Sequence, residues 1–249
     1  RNPRTGHVLN VRRLIRAFRY ERAILLRQRL KALVKCDEAR LVCATCGVPV
    51  YLACSTTKRF FFRHRREDGS CPAVTRTQLS EADIRAMKYR GAQESSAHKR
   101  IKELLLRSLS ADPRFKDVAS ERTWKATEGL AGLRRPDVSA RTGTDKLAFE
   151  VQLSTTFMDV VLSRKEFYRA ERAALVWVLP FFHPSYRRMT DDDILFGNNS
   201  NVFVVDESTA AASEAAGTFI MTCWYRKPVI QGDDIVDEGD PFAADLLGV

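Results

Sequence analysis

Two short runs, Arg134-Arg135-Pro136-Asp137-Val138 and Phe149-Glu150-Val151-Gln152-Leu153-Ser154, flank a polar segment that contains Gly143 and Thr144. If the chain turns between those two residues, Val138 faces Phe149, Ala140 faces Leu147 and Pro136 faces Val151. The same register sets Asp137 opposite Glu150 and Arg135 opposite Gln152. Side chains alternate faces along a strand, so all the apolar partners fall on one side. The other side carries two carboxylates, a guanidinium and an amide. Directly opposed residues lie about 5 Å apart, and like charges that close destabilise a bland surface. A cation between them removes the conflict, and hard oxygen ligands select Mg²⁺ or Mn²⁺. The pattern predicts a divalent-metal site for phosphodiester chemistry. The competing reading is a hairpin whose charged residues merely face solvent. The apolar run Leu175 to Leu179, a further buried strand, favours the metal site.

The chain has 249 residues, 45% of them hydrophobic, enough for one large domain and a small accessory one. Its net charge of +10 is concentrated at one end. Residues 1–35 hold eleven Lys and Arg against a single acid, Glu21, and the remainder is balanced. A basic leading segment on a neutral body predicts an anionic partner, nucleic acid before a membrane surface. The start lacks an uninterrupted apolar core and an initiating Met, so no signal peptide is expected and the chain reads as trimmed. The longest apolar stretch, Ala173 to Phe182, is too short to span a bilayer and contains Pro180. No membrane association is expected. Six cysteines, two of them in a C-x-x-C, fit a reducing compartment and metal binding, which points to the cytoplasm.

Residues 9–35 read as one amphipathic helix, with Leu14, Phe18, Leu25, Leu26, Leu30 and Leu33 among its apolar positions. It either tracks a phosphate backbone or packs on the body with a solvated basic face; anionic lipid is a third option. Residues 36–78 change character. Cys43 and Cys46 bracket a tight turn next to Gly47, and His64 and Cys71 follow after a hairpin of 48–52 with 59–63. Three thiolates and an imidazole make a closed, structural zinc set. Free thiols, or Cys36 or Cys54 as a substitute ligand, are the alternatives. Arg63 and Arg65, beside the aromatic run Phe60-Phe61-Phe62, are candidate phosphate contacts or solvated charges.

Ser80-Glu81-Ala82-Asp83 opens a helix that breaks at Gly91, and a longer helix covers 94–109 with Glu94 and His98 beside its buried stripe. Strands are expected at 118–126, 133–140 and 147–154. A helix over 157–172, with Arg164 and Tyr168 one turn apart, leads to the strand at 175–179. Residues 183–200, with Asp191-Asp192-Asp193, read as a polar loop. Strands at 201–205 and 218–225 follow, and the acidic run Asp233 to Asp240 reads as a solvated tail.

This order of elements, with Asp on the second strand and Glu-x-polar on the third, resembles the PD-(D/E)XK nuclease fold. The closer match is to the competence protein CoiA-like nuclease family. It rests on Glu94-Ser95 with His98 and Lys102, on Glu121, on Arg135-Pro136-Asp137-Val138, on Phe149 to Ser154, and on Arg164 with Tyr168. The upstream Cys43/Cys46 module, with its aromatic strand ending in His64, fits as well, so the match spans about residues 36–180. Three parts follow: a basic helix (1–35), a zinc-binding module (36–78) and an α/β nuclease-like domain with an α-β-β-β-α-β core (79–249).

The resemblance implies a bacterial-type, Mg²⁺- or Mn²⁺-dependent deoxyribonuclease. Asp137, Glu150 and the carbonyl of Val151 would hold the metal, and Gln152 would position the attacking water. Glu121 or Glu94 would bind a second ion or orient that water, and His98 would assist proton transfer. Gln152 departs from the superfamily pattern, which has a lysine there. An amide orients water but neutralises no charge, so Arg135, Lys102 or Arg164 would supply the cation and contact nucleic acid. A non-catalytic nucleic-acid binder with the same fold, and a zinc-containing protein-interaction scaffold, are the alternative functions.

Overall fold

The computed structural model describes residues 1–55, 57–67, 71–73, 75, 95–127, 132–153, 158–226, 229–231, 234–236 and 242–248. Glu94, the Ser80 to Asp83 helix start and Phe157 lie outside them. The described residues form a mixed α/β structure built on a seven-stranded sheet.

The hairpin that organises this sheet takes the register expected from the sequence. Strand β6 (Val138–Thr142) pairs antiparallel with β7 (Asp145–Val151), placing Val138 against Phe149 and Ala140 against Leu147. Gly143 turns the chain at φ +55°, where a side chain would be strained. On one flank β3 (Phe115–Ser120) pairs antiparallel with β6, with a register shift between Lys116 and Ala119. On the other, β8 (Ala173–Leu179) and β9 (Asn201–Val204) add in parallel. Strands β10 (Ile220–Arg226) and β13 (Phe242–Gly248) then complete the sheet antiparallel. The order is β13-β10-β9-β8-β7-β6-β3.

Helices cover both faces. Helix α3 (Ser96–Ala111) precedes β3, and its Ile101, Leu104, Leu105 and Leu109 pack on Val138, Ala140, Phe149, Val151 and Val178. The Ser95 hydroxyl caps its start by accepting from the His98 N–H. Helix α6 (Glu207–Ala216) joins this layer through Ala210. On the opposite face α4 (Met158–Ala170) connects β7 to β8, as a parallel pair requires. Its Phe167 and Tyr168 cover Ala148.

Four expectations are corrected. The strand at 133–140 is two pieces, because Pro136 has no N–H to give a ladder. Leu133–Arg134 (β5) instead pairs with Trp124–Lys125 (β4) as a separate ribbon, which also divides the expected 118–126 strand. Residues 9–35 form two helices, α1 (Val11–Ala17) and α2 (Tyr20–Lys35), broken where Phe18 and Arg19 turn extended. Within the acidic run, Asp234–Val236 (β12) pairs with Val229–Gln231 (β11) rather than trailing as a tail, and β13 beyond it forms a sheet edge; Asp233 and residues 237–240 lie outside the described residues.

The fourth correction concerns Asp191-Asp192-Asp193. They open helix α5 (Met189–Gly197) and are buried. Carboxylates suit the positive end of a helix, and the apolar Ile194, Leu195 and Phe196 of its last turn join the core. Arg27 grips Asp193 at 2.5 Å, and Gln28 donates to the Asp193 carbonyl at 2.8 Å. Asp192 accepts from the Tyr20 hydroxyl (2.8 Å), Lys58 (2.7 Å) and Arg187 (2.7 Å). Asp191 pairs with Arg188 at 2.8 Å. Part of the basic leading segment is therefore bound internally, and Ile24 of α2 sits in the same core cluster as Trp177 and Leu195. No helix among the described residues is long and apolar enough to cross a membrane.

Removing Arg27 strands a buried carboxylate. Arg27→Ala should lower unfolding free energy by about 3–5 kcal/mol at pH 8, read from urea titration. Burial already pushes Asp193 above the ordinary carboxylate range. Without Arg27 it takes a proton more readily in the folded chain than in the unfolded one, so the loss should shrink toward pH 5.

Candidate functional site

The end of the β6–β7 hairpin brings Asp137 and Glu150 to the face covered by α4. Glu150 is 1% exposed on β7, beside Trp177 of β8. Its Oε1 accepts from the Tyr168 hydroxyl at 2.7 Å. Its Oε2 lies 3.1 Å from the Arg164 guanidinium, outside hydrogen-bonding geometry. Among the described residues, the buried side-chain polar atoms without a hydrogen-bond partner are Glu150 Oε2 and Trp177 Nε1. They belong to cross-strand neighbours. Arg164 also stacks 5.6 Å from the Trp177 ring.

Asp137 immediately precedes β6. Its Oδ2 accepts from the Val151 N–H at 2.7 Å and stands 3.3 Å from His98 Nε2. The two carboxyls titrate apart. Burial, reinforced by the neighbouring Asp137, pushes Glu150 up to about 7 against the pull of Arg164. Burial acts upward on Asp137 as well, but His98 and the Val151 N–H outweigh it and hold Asp137 below its ordinary value. Two carboxyls driven apart in this way have distinct chemical roles open to them.

Around this pair the expected residues divide. Lys102 is buried on α3 and paired with Glu121, which adopts φ +53° at the end of β3. Arg135 does not reach Gln152, because the ladder begins only at Val138; its guanidinium lies 3.5 Å from Glu121. Gln152 is buried, and its N–H donates to the Val178 carbonyl at 2.8 Å. The Val151 side chain belongs to the apolar core on the other face. Arg63 and Arg65 are elsewhere: Arg63 donates to the Thr75 carbonyl at 3.2 Å, and Arg65 pairs with Asp37. Trp177 was not singled out from the sequence, where it reads as one more apolar residue of a buried strand. Its parallel pairing with Glu150 depends on the crossover through α4, which no local pattern encodes.

The second constellation lies in the N-terminal part. Strand β1 (Val50–Cys54) pairs with β2 (Phe60–His64) and delivers His64 to the Cys43/Cys46 turn, where Gly47 sits at φ +74°. The ligand atoms of Cys43, Cys46, His64 and Cys71 all lie within 4.8 Å of one another. Cys43 Sγ and Cys71 Sγ are 3.9 Å apart, and Cys46 Sγ and His64 Nε2 are 3.5 Å apart. Tetrahedral zinc with its usual bond lengths needs edges of about 3.8 Å between two sulfurs and about 3.5 Å between sulfur and nitrogen. The donor set fits, and the cluster can hold a metal ion such as zinc. With Nε2 turned to the thiols, His64 Nδ1 carries the proton and donates to Thr75 Oγ1 at 2.9 Å, with Glu67 behind. Such a partner fixes the tautomer of a metal-binding imidazole. Burial acts upward on the Cys43 thiol, but the Cys46 N–H, His64 and the Thr45 N–H bring it down to about 6. Cys36 and Cys54 stay outside the cluster.

Two measurements check these sites. Purified protein should carry about one zinc per chain by atomic absorption; Cys46→Ser should lose it and melt at lower temperature. Folded Glu150 keeps a proton up to about 7, whereas the unfolded residue loses it near 4.5. The parent therefore loses stability as pH rises through that window, and Glu150→Gln does not. Thermal melts without added divalent cation should show the variant gaining on the parent from pH 4.5 to pH 7 and then holding level. A constant difference would contradict the assignment.

Comparison with known proteins adds family membership. No curated protein matches the chain, and no solved structure does. The family model described as domain of unknown function DUF7830 matches residues 6–78. A second, described as domain of unknown function DUF6035, matches residues 80–237, which is more than half of the sequence. The chain belongs to the DUF6035 family.

Proposed function

We propose that this protein is a metal-dependent nuclease with a PD-(D/E)XK-like core, a structural zinc site and nucleic acid, DNA first, as substrate. The observation that carries the reading is the buried Glu150 Oε2, without a hydrogen-bond partner and next to a second carboxylate. A protein that buries one acid against a second, half-buried one gains nothing in stability from doing so. A divalent cation satisfies both, and hard oxygen donors suit Mg²⁺ or Mn²⁺. Bound there, such an ion would acidify an attacking water and offset charge on the phosphate.

The chain's own residues do the rest. Asp137 and Glu150 would hold the cation together with the Val151 carbonyl, and Tyr168 keeps Glu150 aimed. Arg164, 3.1 Å from Glu150, offsets its charge and would be placed to contact a bound phosphate. His98, 3.3 Å from Asp137, exchanges a proton at its Nε2. The Gln152 amide orients water. Lys102, steered by Glu121, supplies the positive charge that the superfamily takes from a lysine at position 152.

One observation favours a second reading. Arg164 already neutralises Glu150 at 3.1 Å, and Gln152 carries no charge, which suits a binder that has kept the fold and lost the chemistry. Cleavage of plasmid and linear DNA in Mg²⁺ or Mn²⁺ separates the two. The nuclease reading expects Asp137→Ala and Glu150→Ala each to lose on the order of 10²-fold or more in rate. Nucleic-acid binding with no cleavage by the parent, or cleavage indifferent to both substitutions, rejects it.

A further inference from the structure

The sheet face that carries Asp137 and Glu150 continues toward the β6–β7 turn. Ser139 and Arg141 follow Asp137 at two-residue steps, and Ala148 and Lys146 precede Glu150 in the same way, with Arg141 and Lys146 directly paired. At the rise of an extended chain, Lys146 lies about 13 Å from Glu150 along β7. There the β4–β5 ribbon stands over the sheet and leaves a cleft of about 280 Å³. Arg122, Lys125, Arg141 and Lys146 line it, with Trp124 and Ser139 in its wall. Trp124 packs edge-on against Tyr168, ring centroids 5.6 Å apart, and Tyr168 holds Glu150. The cleft and the carboxylate pair thus share one aromatic wall.

What marks this cleft is that its cations gather in one concave place. Some surface cations are held in pairs, Arg100 with Glu207, Arg107 with Glu214 and Lys35 with Glu166. Arg122, Lys125 and Arg141 have no ion-pair or hydrogen-bond partner for their side chains among the described residues. The acids in the lining are Asp117 and Glu171. Glu171 is occupied, accepting from the Thr127 N–H at 2.7 Å and from its hydroxyl at 2.6 Å, with Lys146 3.9 Å away. Three unpaired cations converge on one concave, partly aromatic site in line with the carboxylate pair. We propose that this cleft is a phosphate-binding subsite that holds the nucleic-acid backbone a few nucleotides from the bond presented to Asp137 and Glu150. The proposal rests on the reading of nucleic acid as substrate, and adds where the strand runs: along β6 and β7 toward their turn, beneath β4. Phosphate contacts fix register without reading sequence, and Trp124 gives a base or sugar an aromatic surface to pack on.

The test is binding, measured apart from cleavage. Fluorescence anisotropy of a labelled mixed-sequence oligonucleotide, single-stranded and duplex, is followed across about 50–200 mM salt with no added divalent cation. The full chain carrying Arg122→Ala, Lys125→Ala and Arg141→Ala together should bind at least tenfold more weakly than the parent. Its salt slope should fall by about 2–3, since each phosphate contact contributes about 0.7 to 0.9. The three side chains are exposed, so the triple variant should melt with the parent. Arg100→Ala with Arg107→Ala removes charge from α3 at its contact with α6 and should leave the slope unchanged. Equal affinity and slope in the triple variant and the parent overturns the subsite, as does an equal loss per charge in the α3 control or absence of binding by the parent. Cleavage that depends on Asp137 and Glu150 while the triple variant binds normally removes the subsite alone. Cleft-dependent binding without cleavage supports the subsite and removes the chemistry alone.

Discussion

Glu150 sits where a carboxylate is least comfortable: on a central strand, under a helix, beside another acid. Water would favour its charged form, and burial with Asp137 nearby disfavours it. The surrounding architecture answers that conflict. Tyr168 donates to one oxygen and Arg164 approaches the other, both from a helix whose position is set by the crossover between two parallel strands. On the far side, His98 and the Val151 N–H keep Asp137 ionised. The partners come from three elements, so the strain on one side chain is met only when hairpin, α3 and α4 are all in place.

A related problem recurs at the start of α5. Three consecutive carboxylates are buried there, each with its own cation, and two of those cations come from the N-terminal part of the chain. Isolated surface ion pairs contribute little, but a buried carboxylate left alone is costly. The basic leading segment consequently has two tasks. Arg27, with Lys58 from the β1–β2 turn, fastens the N-terminal part to the sheet domain, Lys31 and Lys35 pair with Asp159 and Glu166 of α4, and exposed arginines such as Arg12, Arg16 and Arg29 face outward.

How much of this the sequence discloses follows from how local each signal is. The β6–β7 register could be read because alternation and a glycine turn are both short-range, and a slip of one residue would have buried Asp137 and Glu150 in the apolar core. The Cys43, Cys46, His64 and Cys71 cluster was legible for the same reason: a tight turn and one hairpin bring its ligands together. Arg164 and Tyr168 could be matched by helical spacing. The Asp191–Asp193 run reads as a loop because acidic residues signal solvent until their partners are known, and of those partners Tyr20, Arg27 and Lys58 lie more than a hundred residues away. Alternation alone misplaces Arg135, since the ladder stops at Val138, three residues short of it, with Pro136 in between. Trp177 and the basic cleft under β4 are products of topology, invisible to any window along the chain.

Asp192 illustrates where an apparent seam in a polypeptide differs from a mechanical one. Family matches abut near residue 79, which invites cutting the chain there. Yet this single carboxylate is clasped by a phenol from α2, an ammonium from the turn between β1 and β2, and a guanidinium just upstream of α5. A fragment beginning at residue 80 would leave the last of these in charge of a pocket shaped for all three, with Asp193 bereft beside it. The two family-matched stretches are thus joined not by apolar contact alone but by a few anions that neither could accommodate on its own.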